Sequence, residues 1–233
     1  MPITLYALSD GPSSLAVRQA LEYLELEHEL VNMDIECIEQ LLPEEIAEKN
    51  PRTLPILDDN GFLLGESNAI LQYLAEQYGK DDTLYPKDPK ARAVVNHRLC
   101  FNLSTYYPCV AHYTLGPVIL DNPKSSVDEH KMDIALDNFH ALLKLLMKDY
   151  VAGDTVTIAD FQLVATTMCL QFAKVNLRRW PLVKNWYNSY KFAHPTLWKI
   201  VEAGMKELDG FRAPSEKKEE HKPLSHLLLP LPN

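Results

Sequence analysis

Hydrophobic positions switch along the chain between the strand period of two and the helix period of about 3.6. Ile3 to Leu8 alternates around Leu5 as a short strand, and Asp10-Gly11-Pro12 then turns the chain into a segment with Val17, Ala20, Leu21 and Leu24 on one helical face. His28 to Met33 reads as the next strand, and a charged helix through Glu44 to Lys49 follows. Next comes the Pro-bracketed run Asn50-Pro51-Arg52-Thr53-Leu54-Pro55-Ile56-Leu57, the turn Asp58-Asp59-Asn60-Gly61, a strand at Phe62-Leu63-Leu64, and a helix from Ser67. In that helix Ile70, Leu71, Leu74 and Tyr78 keep helical spacing.

The order βαβ followed by αββα predicts an α/β N-terminal domain of thioredoxin-like layout over residues 1–79. Residues 80–88 are polar, contain Pro86 and show no periodicity, as an interdomain linker would. Everything beyond reads as helix, which predicts an all-α C-terminal domain over 89–212. Ser126 with Glu129 is expected to cap the helix carrying Met132, Ala135, Phe139, Leu142, Leu143 and Leu146, and Thr157 with Asp160 to cap the next. Pro108 and Pro117 should kink or end a helix and open space between helices. Residues 213–233 carry a charge run and then a Leu/Pro run with no helical face, and are expected to form a mobile tail.

Two segments carry candidate chemistry. The ring of Pro55 removes a donor and keeps Leu54 extended, so the Leu54 backbone is suited to pairing with a bound peptide. Glu66-Ser67-Asn68 opens a helix, where an acid, a hydroxyl and unpaired amides lie at the positive helix end. Together they suit a small extended peptide with a free carboxylate at one end. A simple helix cap is the competing reading of Glu66 and Ser67.

Composition narrows the classes. The net charge of −9 and pI near 5.4, with no stretch concentrating Lys and Arg, argue against nucleic acid. The N-terminus lacks the pattern of a signal peptide and no run approaches a membrane span, so a soluble, cytoplasmic protein is expected. Cys37, Cys100, Cys109 and Cys169 contain no C-x-x-C pair, and His97 and His112 lack a ligand-spaced partner, so no metal site is expected.

The element order, the N-P-x-x-x-P-x-L strand, the E-S-x-A-I helix start, the Y-P-K-D linker end and the T-I-A-D-F cap together resemble the cytosolic glutathione transferases, most of all the insect delta and epsilon classes, over roughly residues 3 to 211. The resemblance implies an enzyme that conjugates the thiolate of glutathione, its cosubstrate, to hydrophobic electrophiles in detoxification, working as a homodimer. It implies that Leu54 pairs with the cysteinyl part of glutathione before a cis Pro55, that Glu66 and Ser67 hold the γ-glutamyl end, and that Asn68 beside them binds glutathione. The family often carries a histidine in N-P-Q-H; here one residue is missing and Arg52 occupies that region, as a candidate partner of the glycyl carboxylate or as a solvated arginine. The serine by which delta and epsilon members activate the thiol aligns with Gly11, and the tyrosine of other classes with Ala7, next to Tyr6. Ser13, Ser14 and Ser9 flank the gap and are the candidate activating groups, with Ser13 favoured. A stripe at helical spacing, Tyr107, Val110, Ala111, Thr114 and Val118, with Phe211 returning at the end of the fold, is the candidate hydrophobic substrate site. Such a stripe is ordinarily core. The missing serine also leaves open a carrier that binds glutathione or a hydrophobe with little conjugating activity. A thiol-disulfide oxidoreductase is a weaker alternative, because Gly11 or Ser13 stands where it needs a cysteine.

Overall fold

The computed structural model describes residues 3–33, 53–119 and 123–210. Strand β1 (Ile3–Ala7) buries Ile3, Leu5 and Ala7 on one face, as its alternation requires. Helix α1 (Pro12–Tyr23) starts with proline in its first turn, where the missing N–H costs nothing, and buries Val17, Ala20 and Leu21 completely. Strand β2 (His28–Asn32) pairs parallel to β1. Strands β3 (Ile56–Asp59) and β4 (Phe62–Leu64) form an antiparallel hairpin, giving a mixed sheet of order β2-β1-β3-β4. The two-residue loop Asn60-Gly61 has positive φ at both positions, 54° and 92°, the geometry that matches the twist of the strands.

Helix α2 (Ser67–Tyr78) packs Ile70, Leu71 and Leu74 into the core. Its Tyr73 and Tyr78 hydroxyls both donate to Asp59 Oδ2, pinning the hairpin to the helix. Burial pushes the Asp59 carboxyl up, but these two bonds and one from Asn60 outweigh it and hold the group below its ordinary value. The segment between α2 and the first helix of the second layer is anchored. Leu84 and Tyr85 are buried, the Leu84 carbonyl accepts from Ile158, and Arg92 lies 4.3 Å above the Tyr85 ring.

The helical part comprises α3 (Pro89–Phe101), a π-helical turn at Asn102–Tyr106, α4 (Tyr107–Thr114), α5 (Gly116–Ile119), α6 (Ser126–Leu146), α7 (Ile158–Phe172), α8 (Pro181–Ala193) and α9 (Pro195–Gly210). Pro108 has no N–H for the helical ladder, and the π turn immediately before it takes up the break, bonding Tyr107 N–H to the Asn102 carbonyl. Pro117 likewise sits in the first turn of a separate short helix. The expected cap of α6 is displaced by one residue. Ser125, not Ser126, is the N-cap, and its Oγ accepts from the Asp128 amide, so Asp128 takes the place assigned to Glu129. The capping box of Thr157 and Asp160 at α7 is present as expected.

Helix α7 is the axis of the molecule, buried at every position except Gln171. One continuous apolar core surrounds it, from Leu5 and Leu15 in the α/β layer to Phe139, Trp186 and Val201 among the helices. Phe139 is the hub of an aromatic cluster, with Tyr106 at 5.0 Å and Trp186 at 5.1 Å in edge-on contact. Gln19, fully buried on α1, shows how the two layers satisfy their polar groups. Its Nε2 donates to the Leu15 and Phe161 carbonyls, and its Oε1 accepts from Tyr190 at 2.7 Å.

Candidate active site

A cavity opens where the N-terminus of α1, the Thr53-Leu54-Pro55 segment and the start of α2 face the π turn and α7. From the α/β layer its lining includes Ser13, Leu54, Pro55, Glu66, Ser67 and Asn68; from the helices it includes Asn102, Leu103, Tyr107, Pro108 and Gln162. The Leu54–Pro55 peptide is cis.

Glu66 caps α2 with φ 63° and ψ 106°, a left-handed region that a non-glycine residue occupies only under constraint. The Glu66 side chain makes no capping hydrogen bond to that helix end, so its carboxylate is not spent on the cap. The first-turn amides of α2 remain available to an anion. Ser67 and Asn68 are held from across the cavity, where Gln162 Nε2 donates to Ser67 Oγ at 2.8 Å and to Asn68 Oδ1 at 2.9 Å.

The three candidate serines part company. Ser13 lines the cavity. Ser14 is buried, and its Oγ accepts the Leu8 amide at 3.2 Å, tying the loop before α1 to the helix. Ser9 lies outside the lining, and its carbonyl accepts from Arg18. Gly11 is the N-cap of α1 and contributes no side chain; a Cβ there would lie 3.1 Å from Leu8 Cβ.

The proposed apolar stripe divides as well. Tyr107 reaches the cavity, and its phenol is pushed above the ordinary range by burial and, secondarily, by the Cys169 and Asp10 charges. Val110, Ala111 and Thr114 face the core and are buried, with the Thr114 hydroxyl donating to the Val110 carbonyl. Val118 is half-buried against the same core. Arg52, Phe211, Cys37 and the tail from 213 lie outside the described residues. Of the cysteines described, Cys100 is exposed, Cys109 half-buried, and Cys169 buried with its thiol pushed up to about 12 by desolvation. Among the described residues no cluster of three or more His, Cys, Asp or Glu side chains is arranged to hold a metal, and no helix is long and apolar enough to cross a membrane.

Family models match at both ends of this architecture, the glutathione S-transferase N-terminal domain over residues 1–76 and the glutathione S-transferase C-terminal domain over residues 106–191. The chain belongs to the glutathione S-transferase family. It is 34% identical over 191 residues to glutathione S-transferase D6 of Drosophila melanogaster, covering 82% of this chain and 88% of that one. A diazinon-metabolizing glutathione S-transferase of the silkworm Bombyx mori superposes with a TM-score of 0.83 at 44% identity, over 89% of this chain and all of the other. A delta-class glutathione transferase of Nilaparvata lugens gives 0.84 at 34% identity, over 91% and 99% of the two chains. The resemblance to insect delta and epsilon transferases is thus shown, as is the α/β-plus-helical architecture it implied. Conjugation of glutathione, the family's cosubstrate, is the activity of this glutathione S-transferase.

Sequence reasoning passed over Asn102, Leu103 and Gln162. Leu103 lines the cavity and is half exposed, and Asn102 accepts a hydrogen bond from Thr166 at 2.9 Å.

Proposed function

We propose that glutathione lies along this cavity with its γ-glutamyl end at Glu66, Ser67 and Asn68, its cysteinyl backbone at Leu54, and its thiol directed to Ser13. The glycyl carboxylate is assigned to Arg52. The observation that supports this reading is a single cavity lined both by the acid and hydroxyl of Glu66 and Ser67 at a helix N-terminus and by the Ser13 hydroxyl in the first turn of α1. The acid suits the ammonium of the γ-glutamyl group, and the hydroxyl and amides suit its carboxylate. The electrophile is assigned to the side formed by Leu103, Tyr107 and Pro108. The functional division follows the chain, with glutathione on residues 1–79 and the electrophile on 89–212, in a cytoplasmic homodimer.

Magnitudes identify what activates the thiol. A free thiol titrates near 8.5, so a thiolate at neutral pH needs a drop of about two units, or roughly 2.7 kcal/mol. An exposed helix N-terminus supplies about 0.3–1 kcal/mol, whereas a hydroxyl bond to the sulfur anion adds about 1.5–3. Ser13 therefore carries most of the activation, with the α1 amides assisting.

Conjugation of an aryl halide measured beside direct glutathione binding tests these assignments. Ser13→Ala should raise the thiol pKa of the bound complex by about one unit or more, while affinity at low pH stays nearly constant. Titration of Ser13→Ala like the parent removes Ser13 from this role.

A further inference from the structure

Gln162 is a polar residue, 4% exposed, on the deeply buried helix α7, and it belongs to the opposite layer from Ser67 and Asn68. A buried amide without partners costs about 1–3 kcal/mol, so its placement calls for bonds, and both are made across the cavity wall. One Nε2 hydrogen goes to Ser67 Oγ at 2.8 Å and the other to Asn68 Oδ1 at 2.9 Å. A hydroxyl that accepts from an amide must turn its own proton elsewhere, and an asparagine whose oxygen is engaged presents its NH2 group. Ser67 and Asn68 both line the cavity. We infer that Gln162 is a positioning residue that fixes the polarity of Ser67 and Asn68, turning both into donors aimed at an anionic ligand group. Resting on the reading that this end of the cavity takes the γ-glutamyl carboxylate, the assignment makes carboxylate recognition a joint product of the two layers.

The chemistry distinguishes this from simple packing. A carboxylate in place of the Gln162 amide would accept the Ser67 proton instead of donating, leaving lone pairs to face the ligand carboxylate. Methionine would keep the length of the side chain and remove both bonds. The test uses the full chain with glutathione and with cysteinylglycine, which lacks the γ-glutamyl group, in aryl halide conjugation and calorimetry. Gln162→Met should raise the Kd and KM for glutathione about tenfold with kcat changed less than about twofold, since one to two hydrogen-bond equivalents are lost from binding alone. Gln162→Glu, nearly isosteric, should weaken glutathione further at pH 7.5. The kcat/KM for cysteinylglycine should stay at the parent value in both variants. Parental glutathione affinity in Gln162→Glu, or an equal loss with both thiols, overturns the inference. Failure of the parent itself to bind glutathione would overturn the underlying reading instead, so the two failures are separable.

Discussion

Trp186 donates its indole N–H to Asp160 Oδ1 at 3.0 Å, joining α8 to the N-terminus of α7. The same carboxylate accepts the Val151 and Thr157 amides and the Thr157 hydroxyl, so four donors converge on one fully buried acid. Burial raises its pKa from 3.8 to about 6, and the four bonds limit the rise. Because the native state holds this proton more tightly than the unfolded chain, the contribution of Asp160 to stability is greatest below pH 3.8 and declines as pH rises through about 6. Asp160→Asn places an NH2 group against donors and should cost about 1–3 kcal/mol. Denaturant unfolding should show that cost to be larger at pH 4 than at pH 7.5; a gap independent of pH would mean the carboxyl is unshifted.

Glu66, proposed to meet the γ-glutamyl ammonium, has an unfavourable backbone angle, φ 63°. Glycine adopts that angle freely, so Glu66→Gly should leave stability unchanged or raise it by up to about 1 kcal/mol, while Glu66→Gln keeps the strain. Both should weaken glutathione binding through loss of the carboxylate. Melting curves and calorimetry on the pair separate the effects, and Glu66→Gly melting below Glu66→Gln would contradict the strain assignment.

Ser67→Ala should weaken glutathione binding by about 1.5–3 kcal/mol, the loss of a bond to a charged group. Unchanged affinity by calorimetry in a folded variant would take Ser67 out of the site.

Gly204 on α9 faces α1, where an added Cβ would lie 2.7 Å from Leu15 Cδ1 and 3.0 Å from the Ser9 carbonyl. Alanine ordinarily favours a helix over glycine by about 1 kcal/mol, but here Leu15 is fully buried and the Ser9 contact is backbone. Gly204→Ala should therefore destabilise the protein by about 1–3 kcal/mol. A melting temperature at or above that of the parent would show that α9 moves aside without cost.

Much of the fold was legible because local chemistry and tertiary outcome agree. Asn60-Gly61 demands a tight hairpin and makes one, and the apolar spacings of α1 and α2 mark the faces they bury. The Glu66-Ser67 end of the cavity could be read for the same reason, since a helix start advertises its free amides. The cap of α6 could not, because Ser125 with Asp128 and Ser126 with Glu129 fit the same pattern and only packing chooses between them.

The opposite wall was hidden more deeply. Helical spacing groups Tyr107 with Val110, Ala111 and Thr114, yet only the first reaches the cavity, since periodicity finds an apolar face without saying what it faces. Gln162 belongs to the site through partners 94 and 95 residues away, and no local signal marks it.

The π turn sets the phase of that wall. Its backbone bonds reach five residues back, so residues five apart share one face, whereas in an α-helix they stand about 140° apart. Phe101 and Tyr106 stack at 5.7 Å and both meet Phe139, while Asn102 with Tyr107 and Leu103 with Pro108 line the cavity. Each pair is separated by five positions. The extra residue in this turn lets one rod keep step with a core on one side and a binding cleft on the other, and an uninterrupted α-helix of the same stretch would have to abandon one of them.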